Sequence, residues 1–166
     1  MKEAEEITNI DPVKGHIALA QVYASEKEFT KAEQEYILAT EVNPEDIGPY
    51  FNLAAFYQQQ EKFDKAEHTF QKIIDQEPDN TDALYQLGKT KLLSGKDLDK
   101  GITWFEKYLK KEPVENKANR SYAHWRLGMI YEKQGNQKQA RAKYQKALEL
   151  HPENKEAKEA LEGIED

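Results

Sequence analysis

A fixed spacing of 34 residues separates each of three leucines from the next one along the chain. Leu19 and Leu53 are 34 residues apart, and Leu53 and Leu87 are separated by the same interval. Each leucine is followed at once by alanine or glycine, and further small and aromatic residues follow in the same order each time. A repeat of this length indicates stacked copies of one small unit, because no single copy can bury its apolar face alone.

The unit from Ser121 to Pro152 shows the pattern most completely. Its apolar residues fall into two groups, and within each group a spacing of three or four places them along one face of a helix. Gly135 separates the groups and is suited to end the first helix, while Pro152 cannot continue the second. The unit is therefore predicted to be a helix-turn-helix hairpin. Its marked positions are Leu127, Gly128, Tyr131, Ala140, Tyr144, Ala147 and Pro152.

The same seven positions recur in three upstream units, with 25 of 28 matching in kind. The exceptions are Ile73, Lys91 and Tyr108. This pattern resembles the tetratricopeptide repeat. The resemblance implies an all-α fold, a right-handed α-solenoid of four helix-turn-helix repeats plus a C-terminal capping helix.

The repeat phase also predicts boundaries. The four repeats are expected at residues 13–46, 47–80, 81–115 and 116–154, the last with an extended first helix. Residues 155–166 are expected to form the capping helix, and residues 1–12 an N-terminal arm or the remnant of a preceding helix. The first six helices are predicted at Pro12–Ser25, Thr30–Val42, Asp46–Gln59, Phe63–Gln76, Thr81–Ser94 and Asp97–Lys111.

Charge is distributed unevenly along the chain, whose net charge is −7. Residues 1–80 carry −10, residues 81–114 carry +2, residues 115–151 carry +5 and residues 152–166 carry −4. Solvated outer faces explain this distribution in one interpretation. In the other, the asymmetry steers a charged partner or a second copy of the chain, arranged head to tail. A net negative chain argues against nucleic acid as a partner.

Residues that would carry chemistry are scarce. The chain has no cysteine, and none of its four histidines lies three to five residues from another, so no helical metal pair is expected. His16 and His124 occupy matching positions of their repeats and are expected to pack. Neither a phosphate-binding glycine loop nor a serine nucleophile elbow occurs. We therefore expect no enzyme activity, no metal and no cofactor.

No apolar run is long enough to cross a membrane, and no signal peptide pattern is visible at the start. These observations predict no direct membrane insertion. They favour a cytoplasmic location, with the periplasm left open if the chain is a fragment of a longer precursor.

The resemblance further implies where a partner would bind. In the tetratricopeptide repeat family, a second stripe on the first helix of each hairpin lines a concave groove that holds peptides. The central position of this stripe holds Ile17, Phe51, Tyr85 and Trp125 in the four repeats, so three of the four are aromatic. Aromatic side chains and methionine are enriched in interface cores. Packing against neighbouring helices is the alternative interpretation. The predicted groove residues are Ile17, Gln21, Phe51, Asn52, Ala55, Tyr85, Lys89, Tyr122, Trp125, Arg126 and Met129.

These observations predict a non-enzymatic protein–protein interaction scaffold that holds a peptide segment or partner protein in the concave groove. Some members of the resembling family clamp the tails of chaperones through a lysine and an asparagine on the first helix of a hairpin. No such clamp is expected here, because Ile17 and Gln21, or Phe51 and Ala55, replace that lysine and asparagine. Two alternatives stay open. The chain could be a structural module that self-associates end to end into a homo-oligomer, or an accessory domain of a larger enzyme or membrane-anchored protein.

Overall fold

A computed structural model describes residues 10–164, and every regular element among them is a helix. The all-α prediction is confirmed for these residues. The predicted N-terminal arm or helix remnant at residues 1–12 falls largely outside the described part of the chain. The helices are α1 (Pro12–Ser25), α2 (Phe29–Val42), α3 (Ile47–Gln59), α4 (Phe63–Gln76), α5 (Thr81–Ser94), α6 (Leu98–Lys111), α7 (Lys117–Lys133), α8 (Gln137–Leu150) and α9 (Lys155–Gly163).

Short polar side chains and positive-φ residues set the helix ends. The Asp11 carboxylate accepts a hydrogen bond from the backbone N–H of Lys14 at 3.1 Å, with Pro12 in the first turn. Asn80 caps α5 in the same way through the N–H of Ala83 at 3.0 Å. Gly135 has φ of 74°, so it ends α7 in the left-handed conformation expected of it.

The chain divides into two compact units, with the division between Pro78 and Asp79. In the first unit, α1 pairs with α2, α3 pairs with α4, and α2 contacts α3. Its core is built from the small and aromatic residues of the repeat pattern, and the rings of Tyr36 and Phe56 pack at 5.2 Å between centroids. The buried residues include Leu19, Ala20, Ala32, Tyr36, Leu53, Ala54, Tyr57, Ala66 and Phe70.

A polar contact joins the two hairpins of the first unit. Glu33 on α2 accepts a hydrogen bond from the Tyr57 hydroxyl at 3.0 Å and from the ammonium groups of Lys62 and Lys65 at 2.6 Å each. Burial alone would raise the pKa of Glu33, but these three donors outweigh it and hold the pKa at about 2. Burial, together with the contact to Glu33, raises the pKa of Tyr57 to about 12.

In the second unit, α5 pairs with α6 and α7 pairs with α8, while α7 also contacts α5 and α6. The glycines of the repeat pattern allow the closest approaches. A methyl group added at Gly88 would lie 2.8 Å from Cδ2 of the buried Phe105 ring. Gly128 faces the ring of Tyr144 even more closely. Glycine is therefore required at these two positions because no side chain fits against the facing ring.

Helix α9 packs on α8 and α7 and covers the end of this unit. Its cap is buried: Asn154, which is 1% exposed, donates to the Ser121 hydroxyl at 2.9 Å, and Ser121 donates to the carbonyl of Ala147 at 2.7 Å. Asn154 also accepts from the N–H of Ala157 at 2.9 Å. The helix start is thus fixed to α7 and α8 by hydrogen bonds that water does not reach.

Candidate functional site

The predicted groove residues of the first unit lie on α1 and α3, which contact each other. Phe51 is partly buried, and its ring packs edge-on against that of Phe70 at 6.0 Å between centroids. Asn52 donates to the carbonyl of Gly48 within its own helix, at 3.0 Å. Ile17 is partly buried, whereas Gln21 and Ala55 are exposed.

The predicted residues of the second unit are brought together by α5 and α7. The Arg126 Nε donates to the Tyr85 hydroxyl at 2.8 Å. The Arg126 guanidinium also lies 5.6 Å from the centre of the Tyr85 ring and 5.0 Å from that of Trp125. Tyr122 meets Trp125 edge-on at 6.2 Å. We call Tyr85, Lys89, Tyr122, Trp125 and Arg126 the Tyr85–Arg126 surface.

Lys89 brings a second positive charge to this surface. Burial lowers the pKa of Lys89, and the charge of Arg126 lowers it further. Within residues 10–164, neither Lys89 nor Arg126 forms an ion pair with a carboxylate. Lys89 follows Tyr85 by one helical turn, and Tyr85 is bound to Arg126 through its hydroxyl group, so the two partly buried cations are neighbours without a carboxylate between them.

The aromatic residues of the surface are anchored from below. Tyr85 packs edge-on against Phe105 and Tyr108 of α6, with centroid distances of 5.5 Å and 5.2 Å. Trp125 and Met129 pack against the cluster formed by Ala140, Tyr144 and Ile164, yet both keep part of their surface exposed. Each of these side chains serves the packing on one side and is open to solvent on the other.

A pocket of about 290 Å³ adjoins Tyr85 and Tyr122. Tyr108 and Asn119 line it but are absent from the predicted site. Asn119 is positioned by Glu112, whose carboxylate accepts its amide hydrogen bond at 3.0 Å. The sequence carries one signal for this pocket, because Tyr108 is a large residue where the repeat pattern has a small one. The pocket is lined by Asp82, Tyr85, Gln86, Tyr108, Asn119 and Tyr122.

A larger pocket, of about 580 Å³, lies in the first unit and is lined mainly by the second helices of the hairpins. Its walls come from α2 and α4, and its floor comes from Tyr50, Leu53 and Tyr57 of α3. Sequence reasoning misses this pocket, because it predicts a binding stripe only on the first helix of each hairpin. The apolar floor and the charged rim, which includes Glu41 and Lys72, are typical of a site that can take a side chain or small ligand.

Histidine environments differ between the two matching positions. His124 is partly buried, and burial lowers its pKa to about 4, helped by the charges of Lys143 and Arg120. His16 instead contacts the Glu35 carboxylate at 2.7 Å. Among residues 10–164 no group of three acidic or histidine side chains is arranged to hold a metal ion. None of the helices in that range has the length and apolar character that a membrane crossing requires.

Comparisons with known proteins agree with the repeat pattern. Sequence models of the tetratricopeptide repeat match residues 13–46, 53–118 and 121–154. A curated relative, the protein CTR9 homolog of Arabidopsis thaliana, is 29% identical over 118 residues. The match covers 68% of this chain but only 11% of the plant protein's length.

Solved structures show the same fold. A crystal structure of MamA has a TM-score of 0.72 and 24% identity, and the match covers 93% of this chain and 87% of MamA. MamA from Desulfovibrio magneticus RS-1 has a TM-score of 0.74 at 18% identity, with 91% and 82% covered. Pseudomonas aeruginosa pilF has a TM-score of 0.72 at 17% identity, with 92% and 67% covered. At these identities the likeness concerns the fold alone.

Proposed function

Because the chain belongs to the tetratricopeptide repeat family, we propose that it is a non-enzymatic scaffold that binds a segment of another protein on the first helices of its hairpins. The Tyr85–Arg126 surface is the part of the chain that best supports this proposal. Its members lie on α5 and α7, and the remaining predicted residues, on α1, α3 and α7, extend the proposal to the other repeats.

The observation that carries the proposal is order without full burial. Tyr85, Trp125 and Arg126 are held by specific ring and hydrogen-bond contacts, yet each remains only partly buried. Side chains that are already ordered lose little conformational freedom when a partner covers them. Tyrosine, tryptophan and arginine are also the residues that most often dominate binding energy at protein interfaces. A preorganised surface of this composition is suited to a protein partner.

The proposal is tested by affinity measurements on single variants. Partners recovered by pull-down from the native organism are purified and titrated against the wild-type chain and against Tyr122→Ala and Trp125→Ala. We expect each variant to lose about tenfold or more in affinity, the loss typical of a buried aromatic anchor. Because Trp125 also contacts the Tyr144 cluster, circular dichroism and thermal melting must show that the variant is folded.

Trp104→Ala is the matched control. Trp104 is a partly buried tryptophan of α6 that contacts Lys107, and it lies on the second helix of its hairpin. We expect this variant to bind like the wild type. Unchanged affinity of folded Tyr122→Ala and Trp125→Ala would remove the surface from the binding site, as would an equal loss in the control.

Self-association is a second candidate function, and the uneven charge favours it. Residues 1–80 carry −10 whereas residues 115–151 carry +5, so opposite charges are available on two copies of the chain. If this attraction drives assembly, the mass measured by light scattering should fall as salt is added, because the Debye length is about 10 Å at 0.1 M salt and shorter above it. A monomer mass at low salt would contradict this candidate.

A further inference from the structure

We propose that the Tyr85–Arg126 surface selects a partner segment by one acidic side chain, whose carboxylate binds between Lys89 and Arg126. This inference rests on the proposed function and names the chemistry of the partner. It commits to an aspartate or glutamate side chain within a chain segment, as distinct from a terminal carboxylate or a polyanion.

Lys89 and Arg126 differ from the other ordered cations of the second unit. Lys91 is paired with the carboxylate of Asp97 at 3.0 Å. Arg120 donates to the carbonyls of Leu109 and Glu112 at 2.7 Å and 2.9 Å. Lys89 and Arg126, by contrast, have no carboxylate partner within residues 10–164, and Arg126 is held by aromatic rings and a hydroxyl group.

Electrostatic repulsion between these two cations favours an anion at this place. Two like charges that are partly removed from water repel each other more strongly than they would in solution, and this repulsion adds to the effect of burial in lowering the pKa of Lys89. An anion placed between them offsets that repulsion and accepts hydrogen bonds from both. The tyrosine and tryptophan rings around Arg126 restrict water, so such charge-assisted hydrogen bonds are stronger there than on an open surface.

Asp82 limits the number of negative charges that the surface accepts. It lies on the same face of α5 as Lys89, seven residues earlier, which is about 10 Å along the helix. Asp82 and Tyr108 line the same 290 Å³ pocket. Burial raises the pKa of Tyr108, and the charges of Glu112 and Asp82 raise it further, so the negative charge of Asp82 acts on this pocket. A nucleic acid or a run of acidic residues would extend over Asp82 and be repelled. A single acidic residue avoids that repulsion.

The pocket beside Asp82 is suited to another side chain of the same segment. An extended chain rises about 3.3 Å per residue, so a side chain about three residues from the acidic one reaches this distance. The carboxylate of Asp82 and the amide of Asn119 line the pocket, so they favour a polar or basic group there.

Three peptides with capped N-termini test the inference, each titrated against the full chain by following tryptophan fluorescence. The C-termini of the first two are capped as well. The first carries one central glutamate between leucine and tyrosine, with a lysine three positions away. The second replaces the glutamate by glutamine, and the third is the glutamine peptide with a free C-terminal carboxylate. We expect the first to bind about tenfold more tightly than the second, the effect of one charge-assisted hydrogen-bond pair. The third should bind no better than the second.

The variant Lys89→Gln/Arg126→Gln, verified as folded by circular dichroism, should bind the first two peptides with equal affinity. The control variant Lys138→Gln removes an exposed positive charge from α8 and should keep the preference for glutamate. In the wild type, the side-chain NMR signal of Lys89 should show a higher pKa when the glutamate peptide is bound.

The outcomes separate the inference from the proposed function. Equal affinity for the first two peptides would overturn the acidic selection while leaving the surface as a binding site. Preference for the third peptide would replace the side chain by a terminal carboxylate and likewise overturn the inference. If none of the peptides bound at millimolar concentration, both the inference and the surface would fail.

Discussion

The ammonium group of Lys91 lies 3.0 Å from a carboxylate oxygen of Asp97, although Lys91 is only 5% exposed. Lys91 stands where the other repeats have a tyrosine, and Asp97 lies in the turn between α5 and α6. The segment from Leu87 to Gly101, which includes this turn, has one residue more than the matching segments of the other repeats. The hydrogen bond and charge of Lys91 lower the pKa of Asp97. Two departures from the repeat pattern thus compensate each other.

The pair predicts a coupled loss and recovery of stability. Asp97→Asn removes a carboxylate that offsets the charge of a buried lysine, so the thermal midpoint should fall. Lys91→Met keeps the apolar stem and removes the charge, so the double variant Lys91→Met/Asp97→Asn should recover most of the loss. Thermal melts of the four proteins form a double-mutant cycle. Additive effects of the two changes would show that the pair is not coupled.

Leu127→Ala should destabilise the second unit. Leu127 is fully buried, so truncation leaves a cavity and should lower the free energy of unfolding by about 2–5 kcal/mol. Urea denaturation followed by circular dichroism measures the change. Leu93→Ala is the control, because Leu93 is 48% exposed and should lose far less. A loss below about half a kilocalorie at Leu127, within the usual range for surface changes, would contradict the packing.

Gly128→Ala should also be destabilising, for the opposite reason. The added methyl group would collide with the ring of Tyr144, which is fully buried and cannot move aside freely. We expect a loss of about 1–3 kcal/mol, the usual cost of overpacking. At Gly163, near the end of α9, the space is open, so Gly163→Ala should be neutral or stabilising by up to about 1 kcal/mol. Equal effects at the two glycines would refute the close approach.

Glu33 should make the first unit sensitive to acid. Its pKa is lowered from 4.5 to about 2 in the folded chain, so the unfolded state binds the proton more readily. The stability that Glu33 contributes is fully present above pH 4.5 and is lost as the pH falls towards 2. Glu33→Gln should flatten the dependence of the urea midpoint on pH in this window. Glu45→Gln, at an exposed position in the turn between α2 and α3, should leave the dependence as in the wild type.

His124 should make the stability of the second unit depend on pH at higher pH values than Glu33 does for the first unit. Its folded pKa of about 4 lies below its ordinary value of 6.5, so the folded state resists protonation. Stability is therefore complete above pH 6.5 and decreases as the pH falls towards 4. Its Nδ1 is buried without a hydrogen-bond partner in the described part of the chain, so His124→Leu should remove this pH dependence and keep the stability at pH 7. His68→Gln, at an exposed position, should change neither. If His124→Leu kept the pH profile of the wild type, the pH dependence of stability would have to come from another group.

Much of the helical fold can be predicted because its signals are local. The predicted spans of α1, α4 and α5 coincide with the observed helices, since capping residues and a three-to-four spacing act within a few turns of chain. The start of α6 differs by one residue: the pattern predicts Asp97 inside the helix, but Asp97 adopts φ of 49° and precedes it. From this position Asp97 pairs with Lys91, and that pairing depends on the packing around α5.

Spacing predicts only part of the candidate site. It places Tyr85, Trp125 and Arg126 on the same side of their helices, and the structure brings these three into contact. It does not place Tyr108 and Asn119 beside them, because these residues lie on another helix and at the start of α7. The pocket of the first unit escapes prediction for the same reason, since its walls come from helices that the repeat pattern assigns to packing.

The sequence alone determined the repeat period, the helix faces and the residues that must be small, because these follow from local geometry and from the volume that a facing ring requires. The tertiary structure decided which partners meet. Tyr85 and Arg126 are 41 residues apart, and their hydrogen bond exists only because α5 and α7 pack together. The energy of a hydrogen bond or a ring contact is lost when the two groups move a few ångströms apart. Such contacts therefore depend on how the hairpins fit together, which periodicity does not specify.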